Sequence, residues 1–450
     1  MRAELVRWFE HARVPRYTSY PTAPHFGPGI DAARYEAWLR ALDPQLTLSL
    51  YLHIPYCRQL CWYCGCHTYI THRDDRVAAY LDLLLAEIDR VAALLPGRFR
   101  VVHLHWGGGT PSIVGPSGLR RTMERLRTRF AFMPDAELAI ELDPRMVDAE
   151  LAEALAEVGI NRVSLGVQTL DPRVQEAINR PQPYRQVAEC FRLLRRVGIR
   201  HFSVDLLYGL PAQTRASARE SVERLLDLEP DRAAVFGYAH LPRLKRHQRL
   251  IDATSLPDAE ERAAQFEAMA ATFEDAGYVA IGLDHFARPG DSMACALAEG
   301  RLHRNFQGYT TDPADVLLGF GASAIGSLPR GYVQNAADLR AYRAAVAGGG
   351  LPIQRGLELS REDRAIRAVI ERIMCYGEVD LAAIARQFAL PVAMLAPDPE
   401  RMAQLESLGV ARRSGQRVVL EPGHRPLLRL LAAAFDRYLE PDSRRHAVAI

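Results

Sequence analysis

A chain of 450 residues, 48% hydrophobic and 24% charged, is long enough for two or three domains with full cores and too apolar to stay disordered. Its net charge of +2 argues against a basic face spread for nucleic acid, and no uninterrupted apolar run reaches membrane-spanning length. Seven cysteines, an odd and sparse number, argue against a secreted disulfide scaffold, and without an apolar signal core near Met1 the expected address is the cytoplasm. Lys245 is the only lysine, so 55 of the 56 basic residues are arginines, and Schiff-base chemistry has a single candidate.

In chain order, residues 1–46 form an N-terminal arm. Its stretch Val14 to Thr22 carries two prolines and no periodicity, and a short helix is expected from about Asp31 to Leu42. From Leu48 short β-branched runs alternate with long amphipathic segments, the pattern of βα units on a parallel sheet. The expected strands are Leu48 to Ile54, Val101 to Trp106, Glu137 to Leu142, Arg162 to Val167, His201 to Leu206 and Ala233 to Tyr238. Helices such as Arg76 to Leu95 and Asp148 to Val158, the latter closed by Gly159, lie between them. Six such units predict an α/β fold: an incomplete (β/α)6 barrel with a substrate-side extension over 47–350, its chemistry at the C-terminal strand ends. The triplet Gly348-Gly349-Gly350 reads as a boundary. Residues 351–450 are expected to be a mainly helical, winged-helix-like domain, with helices Arg361 to Tyr376 and Asp380 to Phe388 and a strand pair from about Ala411 to Leu420.

Strand one runs directly into Cys57-Arg58-Gln59-Leu60-Cys61-Trp62-Tyr63-Cys64-Gly65-Cys66. Cys57, Cys61 and Cys64 have the C-x3-C-x2-C spacing that puts three thiolates on three corners of a 4Fe-4S cube and leaves the fourth iron without a protein ligand. A structural zinc knot would draw four thiolates from two separated pairs, whereas here all four crowd one loop. Cys190, Cys295 and Cys375 stand apart in apolar surroundings and read as buried small hydrophobes.

The other strand ends are polar or glycine-rich. Gly107, Gly108 and Gly109 lack β-carbons, so their backbone can approach a ligand's ammonium and carboxylate. Glu141 and Gln168 suit ribose hydroxyls, and Asp205 suits a cationic group. Tyr51 and His53 share one strand face, and His53 reads as a satisfied core histidine before it reads as a proton donor. The segment Leu241 to Arg249 reads as a solvated face before it reads as an anion contact.

The cysteine loop resembles that of the radical S-adenosylmethionine (SAM) superfamily, in which SAM chelates the open iron and one electron releases a 5′-deoxyadenosyl radical. Further stretches are similar to one family within it, the oxygen-independent coproporphyrinogen III oxidases. These are Pro15-Arg16-Tyr17-Thr18-Ser19-Tyr20-Pro21, Cys64-Gly65-Cys66, His105 to Pro111, Tyr238 to Pro242 and His303-Arg304-Asn305-Phe306-Gln307-Gly308-Tyr309-Thr310-Thr311. The resemblance implies conversion of two propionates of coproporphyrinogen III, on rings A and B, to the vinyls of protoporphyrinogen IX in haem and porphyrin biosynthesis. It implies a 4Fe-4S cluster on Cys57, Cys61 and Cys64, and two SAM molecules. The first would meet Tyr51, Tyr63, Gly108, Glu141 and Ile325; the second, Gly109, Thr110, Gln168, Arg180, Asp205 and Ala239. Cys66, Tyr51, His53 and Gln307 are the catalytic candidates, Cys66 standing beside the cluster without ligating it. It further implies an electron donor such as flavodoxin or ferredoxin, an unidentified electron acceptor, a monomer, and neither nucleic acid nor membrane as partner. A tetra-anionic substrate asks for arginines at the barrel mouth or on the arm, Arg16 first. The alternative is a radical SAM haem chaperone relative without dehydrogenase activity, which usually lacks the Cys-Gly-Cys ending, the arm and the His303 to Thr311 segment.

Overall fold

A computed structural model describes residues 12–439; residues 1–11 and 440–450, the outer ends of the expected arm and C-terminal domain, lie outside the described residues. Among the described residues the central sheet has twelve strands. Along the chain they are β1 (Thr47–Ile54), β2 (Arg100–Gly108), β3 (Ala131–Leu142), β4 (Arg162–Gln168), β5 (His201–Tyr208), β6 (Arg232–Gly237), β7 (Val279–Ile281), β8 (His285–Ala287), β9 (Val316–Phe320), β10 (Ile325–Leu328), β11 (Gly331–Asn335) and β12 (Ile353–Glu358). Their spatial order is β12-β11-β10-β9-β1-β2-β3-β4-β5-β6-β8-β7. Pairing is parallel from β9 through β1 to β6 and antiparallel at both flanks. The six expected strands are all present and run parallel, with helices between them.

Alternation along each strand sets the two faces. Leu48, Leu50, Leu52 and Ile54 of β1 are fully buried against the helices, as are Leu104 and Trp106 of β2 and Val163 and Leu165 of β4. The helix α1 (Asp74–Leu94) shows why the outer layer holds. Val77, Tyr80, Leu81, Leu84, Leu85, Ile88 and Val91 recur at helical spacing on its buried face, and Asp74 and Asp75 oppose the positive end of its dipole. The intervening residues of the strands, Ser49, Tyr51 and His53 among them, face the other way and line the inside of the curved sheet.

The glycine triplet follows a helix, Leu339–Ala347, with Gly349 at φ 74°, and the chain then returns to the sheet as β12. The expected division at 350 therefore falls ahead of an edge strand: a glycine run marks a tight turn whether or not a new core follows it. A second core gathers around α2 (Arg361–Tyr376). Ser360 and Asp363 cap this helix reciprocally, and Gly377 ends it in the left-handed region at φ 71°. The winged-helix-like sheet beside it has the order Glu378–Asp380, Arg417–Leu420, Ala411–Ser414. The arm is shared between the two cores. Val14, Tyr17 and Tyr20 pack with Ile366, Ile370, Ile373 and Phe435 in the second, while Tyr35, Trp38 and Leu39 of the helix Ala32–Arg40 join the first.

The hairpin of His303–Asn305 and Gly308–Thr310 reaches toward both flanks of the sheet. Tyr309 Oη accepts from Leu283 N (2.8 Å) and donates to Met374 O (2.8 Å), whereas Phe306 packs edge-on against Tyr332 of β11 at 5.4 Å. Among the described residues no helix is long and apolar enough to cross a membrane.

Candidate active site at the strand ends

The cysteine loop leaves β1 at Pro55 and is held from three sides. Tyr56–Cys57 pairs in parallel with Tyr69–Ile70, Trp62 N donates to Ile178 O (3.0 Å), and the segment after β6 clasps the far side. There Lys245 Nζ donates to Cys66 O (3.0 Å), His247 Nε2 to Cys64 O (2.8 Å), and Gln248 Nε2 to both Tyr63 O (3.0 Å) and Ala239 O (3.2 Å). The solvated-face reading of Leu241 to Arg249 holds for Arg243, Leu244, Arg246 and Arg249, which are exposed, while Lys245, His247 and Gln248 turn to the loop. A basic run with one buried glutamine, Gln248 at 1% exposure, is a clasp whose partners lie far away in sequence.

Each of the three cysteines with cluster spacing has polar company suited to a thiolate. The hydroxyls of Thr68 and Thr110 both donate to Cys57 Sγ at 3.3 Å. Arg180 Nη1 lies 3.3 Å from Cys61 Sγ, with Arg145 Nη2 at 3.9 Å. Cys64 is pulled down to about 6, first by the Cys66 thiol that donates to it, against burial, with further help from the Cys66 N–H, His247 and Lys245. Cys66 is driven the opposite way by the same contact and by its enclosure, although solvent reaches it. Among the described residues no three His, Cys, Asp or Glu side chains converge on a single metal ion, and a cube asks for no such convergence, since each thiolate takes its own iron. The donor set therefore fits a cluster. Cys190 and Cys375 are buried as expected, but Cys295 is half-exposed on the outer side of a short helix.

The glycine turn is shaped by the protein around it. A β-carbon on Gly107 would stand 2.8 Å from Glu141 Oε1 and 2.9 Å from the Tyr51 ring, and one on Gly109 would stand 2.6 Å from Tyr56 O. Gly108 has φ 116°, and a β-carbon there would meet the His53 ring at 2.8 Å. The N–H groups of Gly108, Gly109 and Thr110 are engaged by Glu141 Oε2 (3.2 Å), Ile54 O (2.8 Å) and Tyr56 O (2.8 Å). Of the backbone groups the turn was expected to bring near a ligand's ammonium and carboxylate, the N–H groups of Gly108 and Gly109 thus have partners within the protein.

Tyr51, His53, His105 and Glu141 form one connected set. His53 Nε2 donates to His67 O (3.1 Å), which assigns the neutral tautomer and leaves Nδ1 to accept from Tyr51 Oη (3.0 Å). Burial drives His53 down to about 4, so it is neutral near pH 7 and is the satisfied histidine the strand pattern suggested. The Tyr51 ring stacks on His105 at 6.0 Å, and His105 Nε2 donates to Glu141 Oε1 (3.1 Å). Tyr63 lies against the apolar cluster of Val174, Ile178 and Leu210.

Gln168 ends β4 at φ 69°. Burial, helped by Glu141, pushes Asp205 up to about 7 against a hydrogen bond with Ser164 and the charge of Arg180. Arg180 is 6% exposed and braced by Asp143 Oδ2 (3.3 Å) and Gly166 O (2.6 Å), so its guanidinium touches a cluster cysteine as well as the rim. Ile325 opens β10, next to Ala324, and Ser323 Oγ lies 3.4 Å from His53 Nε2. Gln307 sits at the hairpin turn with a buried Nε2 that finds no partner among the described residues. Sequence reading missed Thr68, Arg145 and the clasp of Lys245, His247 and Gln248. None of these follows a spacing rule, and only the crowding of polar residues around one loop could have drawn attention to them.

Comparison with known proteins agrees along the whole chain. The radical SAM superfamily model matches residues 51–225. The oxygen-independent coproporphyrinogen III oxidase of Bradyrhizobium diazoefficiens is 50% identical, covering 100% of both chains, and that of Salmonella typhimurium is 40% identical, covering 96% of this chain and 94% of its own. The solved coproporphyrinogen III oxidase of Escherichia coli, described as a radical SAM enzyme, superposes with a TM-score of 0.90 at 38% identity, over 94% of this chain and 98% of the other. At that identity and coverage, with the cysteine loop seated at the end of β1, the chain belongs to the oxygen-independent coproporphyrinogen III oxidases of the radical SAM superfamily.

Proposed function

We infer that the protein carries out the anaerobic oxidative decarboxylation of coproporphyrinogen III to protoporphyrinogen IX in haem and porphyrin biosynthesis. The observation that carries this reading is the cysteine loop at the rim, in a chain that follows the family end to end. Cys57, Cys61 and Cys64 would hold a 4Fe-4S cluster. When bound, the cluster and SAM would supply the one-electron chemistry that takes a hydrogen atom from the propionate carbon β to the carboxylate, the one attached to the pyrrole, with loss of carbon dioxide and one electron leaving a vinyl.

The chain's own residues prepare the place for this. Arg180, Thr68 and Thr110 offset thiolate charge in a partly dry site. With its N–H groups engaged, the glycine turn offers carbonyl oxygens to the SAM ammonium beside Glu141. Tyr51, locked by His53 and His105, is a rigid wall for the first SAM, together with Tyr63, Gly108 and Ile325. Gly109, Thr110, Gln168, Arg180, Asp205 and Ala239 are proposed for a second SAM. Cys66 stands beside the cluster without ligating it, and Gln307 offers a donor to the substrate. His53 acts by positioning Tyr51 and exchanges no proton. A one-electron donor such as flavodoxin or ferredoxin, an electron acceptor of unknown identity, a monomeric state and a cytoplasmic address complete the reading. The domains proposed are 1–46, 47–350 and 351–450, the last of them lending its first strand, β12, to the edge of the central sheet.

The test is an anaerobic assay of reconstituted protein with coproporphyrinogen III, SAM, a reductant and cell extract as acceptor source. Protoporphyrinogen IX should form with two methionines released per product, and equilibrium dialysis should approach two SAM per chain. SAM cleavage without vinyl product, accompanied by stoichiometric haem binding, would favour the haem chaperone instead. Full turnover by a protein that never binds more than one SAM would remove the second site.

A further inference from the structure

The clasp over the cysteine loop has two faces. Inward, Lys245 and His247 hold the carbonyls of Cys66 (3.0 Å) and Cys64 (2.8 Å), and Gln248 holds that of Tyr63 (3.0 Å). Outward, Arg243, Arg246 and Arg249 are exposed, and Leu244 and Leu250 beside them are 70% and 57% exposed, more than any other large apolar side chain among the described residues. The stretch Leu241 to Ile251 contains no acidic residue, and among the described residues no carboxylate pairs with these three arginines. Exposed arginines elsewhere do find one, as in Arg40 with Glu36, Arg121 with Asp82, Arg192 with Glu189 and Arg413 with Glu406.

Unpaired cations beside protruding leucines suit a protein partner: the charges attract and orient an acidic surface, and the apolar side chains give it area to bury. The position of the patch says which partner. Each SAM cleaved takes one electron from outside the chain. No second cluster can relay it, because beyond the cysteine loop the chain has three cysteines, and two of them, Cys190 and Cys375, are buried in different cores. The electron has to be delivered at the cysteine loop itself. A carrier that approaches the loop on its far side meets the outer face of the clasp, which is bonded directly to the backbone of Cys64 and Cys66.

We propose that the outer face of the clasp, made by Arg243, Leu244, Arg246, Arg249 and Leu250, is the docking surface for the electron donor, a small acidic one-electron carrier protein. Its carboxylates meet the arginines, and apolar groups around its redox centre meet the leucines. This rests on the functional reading above and deepens it by giving the donor a place. In the step served, the carrier is oxidised by one electron and the bound cluster is reduced by one; no bond forms or breaks. The basic run thereby has a task on each face, holding the loop from within and receiving the donor from without.

The test is anaerobic calorimetric binding of a flavodoxin and of a ferredoxin, both acidic carriers, to the full reconstituted chain, beside vinyl formation driven either by the carrier or by dithionite. The wild type should bind at least one carrier, and more weakly as salt rises. Arg243→Glu combined with Arg246→Glu should weaken that binding about tenfold or more, and Leu244→Ser should weaken it less. Iron content, thermal midpoint and dithionite-driven turnover should not change in either variant. A wild type that binds neither carrier, or charge-reversed protein that binds as the wild type does, would overturn the docking surface. Equal loss of carrier-driven and dithionite-driven turnover would overturn it too, by assigning the patch to the substrate. Binding of the wild type to anionic vesicles, lost in the variant while carrier-driven turnover is kept, would assign the patch to a lipid surface instead. In all these cases dithionite-driven conversion of coproporphyrinogen III by the wild type leaves the functional reading standing, and its absence would overturn that reading separately.

Discussion

Glu137 and Glu141 stand four residues apart on β3, and the sheet uses them in opposite ways. At the floor of the barrel Glu137 accepts from Arg162 Nε (2.9 Å) and faces His103 Nε2 (3.4 Å). Asp291 joins Arg162 Nη2 (3.5 Å) to Arg232 Nε (2.6 Å), and Asp312 lies 3.6 Å from His103 Nδ1. Three carboxylates thus meet two arginines and a histidine whose pKa is raised, because Glu137 and Asp312 outweigh its burial. Among the described residues, Arg162 Nη1 alone is left there as a buried donor without a partner. At the rim Glu141 has an imidazole and one backbone N–H, its side chain is 41% exposed, and the arginine nearby faces a cysteine sulfur. Polar residues inside a barrel are therefore no signature of a site. What marks the rim is polar groups whose partners the protein does not fully supply.

The sharpest way to break this comparison is at the loop. Cys57→Ser, Cys61→Ser and Cys64→Ser should each fail to assemble the cluster and lose turnover, whereas Cys66→Ser should still load about four irons per chain and lose turnover alone. Iron analysis after anaerobic reconstitution checks this, and equal iron loss in all four variants would refute the place given to Cys66.

Next in size is the floor. Asp291, whose side chain is 2% exposed, bridges two buried guanidiniums, so Asp291→Asn should cost roughly 3 kcal/mol or more in denaturant unfolding. The fraction that folds should load iron as the wild type does. A stable Asp291→Asn protein with a defective cluster would reverse the roles of the two ends.

The floor also sets an acid limit. Burial would raise the Glu137 carboxyl, but His103, Arg162 and Arg232 hold it well below the usual carboxylate range. A depressed carboxylate contributes stability above its unfolded pKa, about 4.3, and that contribution drains away as pH falls toward the folded value. Unfolding midpoints measured from pH 6 downward should therefore drop more steeply for the wild type than for Glu137→Gln. Parallel curves would mean that the ion pair has no such effect.

The smallest effect expected is at the cap of α2. Ser360→Ala removes one side of a reciprocal cap and should cost about 1 kcal/mol, with iron loading unchanged. A loss of substrate binding in this variant would tie the second core to the site more tightly than one helix end explains.

The six parallel strands and the cysteine spacing were legible in the sequence because both are local patterns. β1 to β6 are alternating runs closed by helices of clear period, and three thiols within eight positions need no fold to be recognised. The rest depends on distance in the chain. Arg180 reaches Cys61 across 119 positions and His247 reaches Cys64 across 183, so neither contact has a sequence signal. The glycine triplet at 348–350 is a local turn signal, and it carries no information about which sheet the next strand will join. The Gly107 to Gly109 turn was found for its flexibility, yet its shape answers to Tyr51, His53 and Glu141 packed against it.

The most direct measurement sets Glu137→Gln beside Glu141→Gln, the same change on the same strand. Glu137 is 27% exposed and faces an open cavity at the floor that Asp135, Arg162 and Asp291 also line, so its pairing is partly screened and its loss should cost about 1 to 3 kcal/mol. Thermal unfolding and anaerobic SAM dialysis are read on both proteins after reconstitution. Glu137→Gln should lower the thermal midpoint and bind SAM normally per folded chain, whereas Glu141→Gln should hold its midpoint and bind SAM about tenfold more weakly. The same pattern in both proteins, or the two patterns exchanged, would contradict the division of the barrel into a floor that stabilises and a rim that binds.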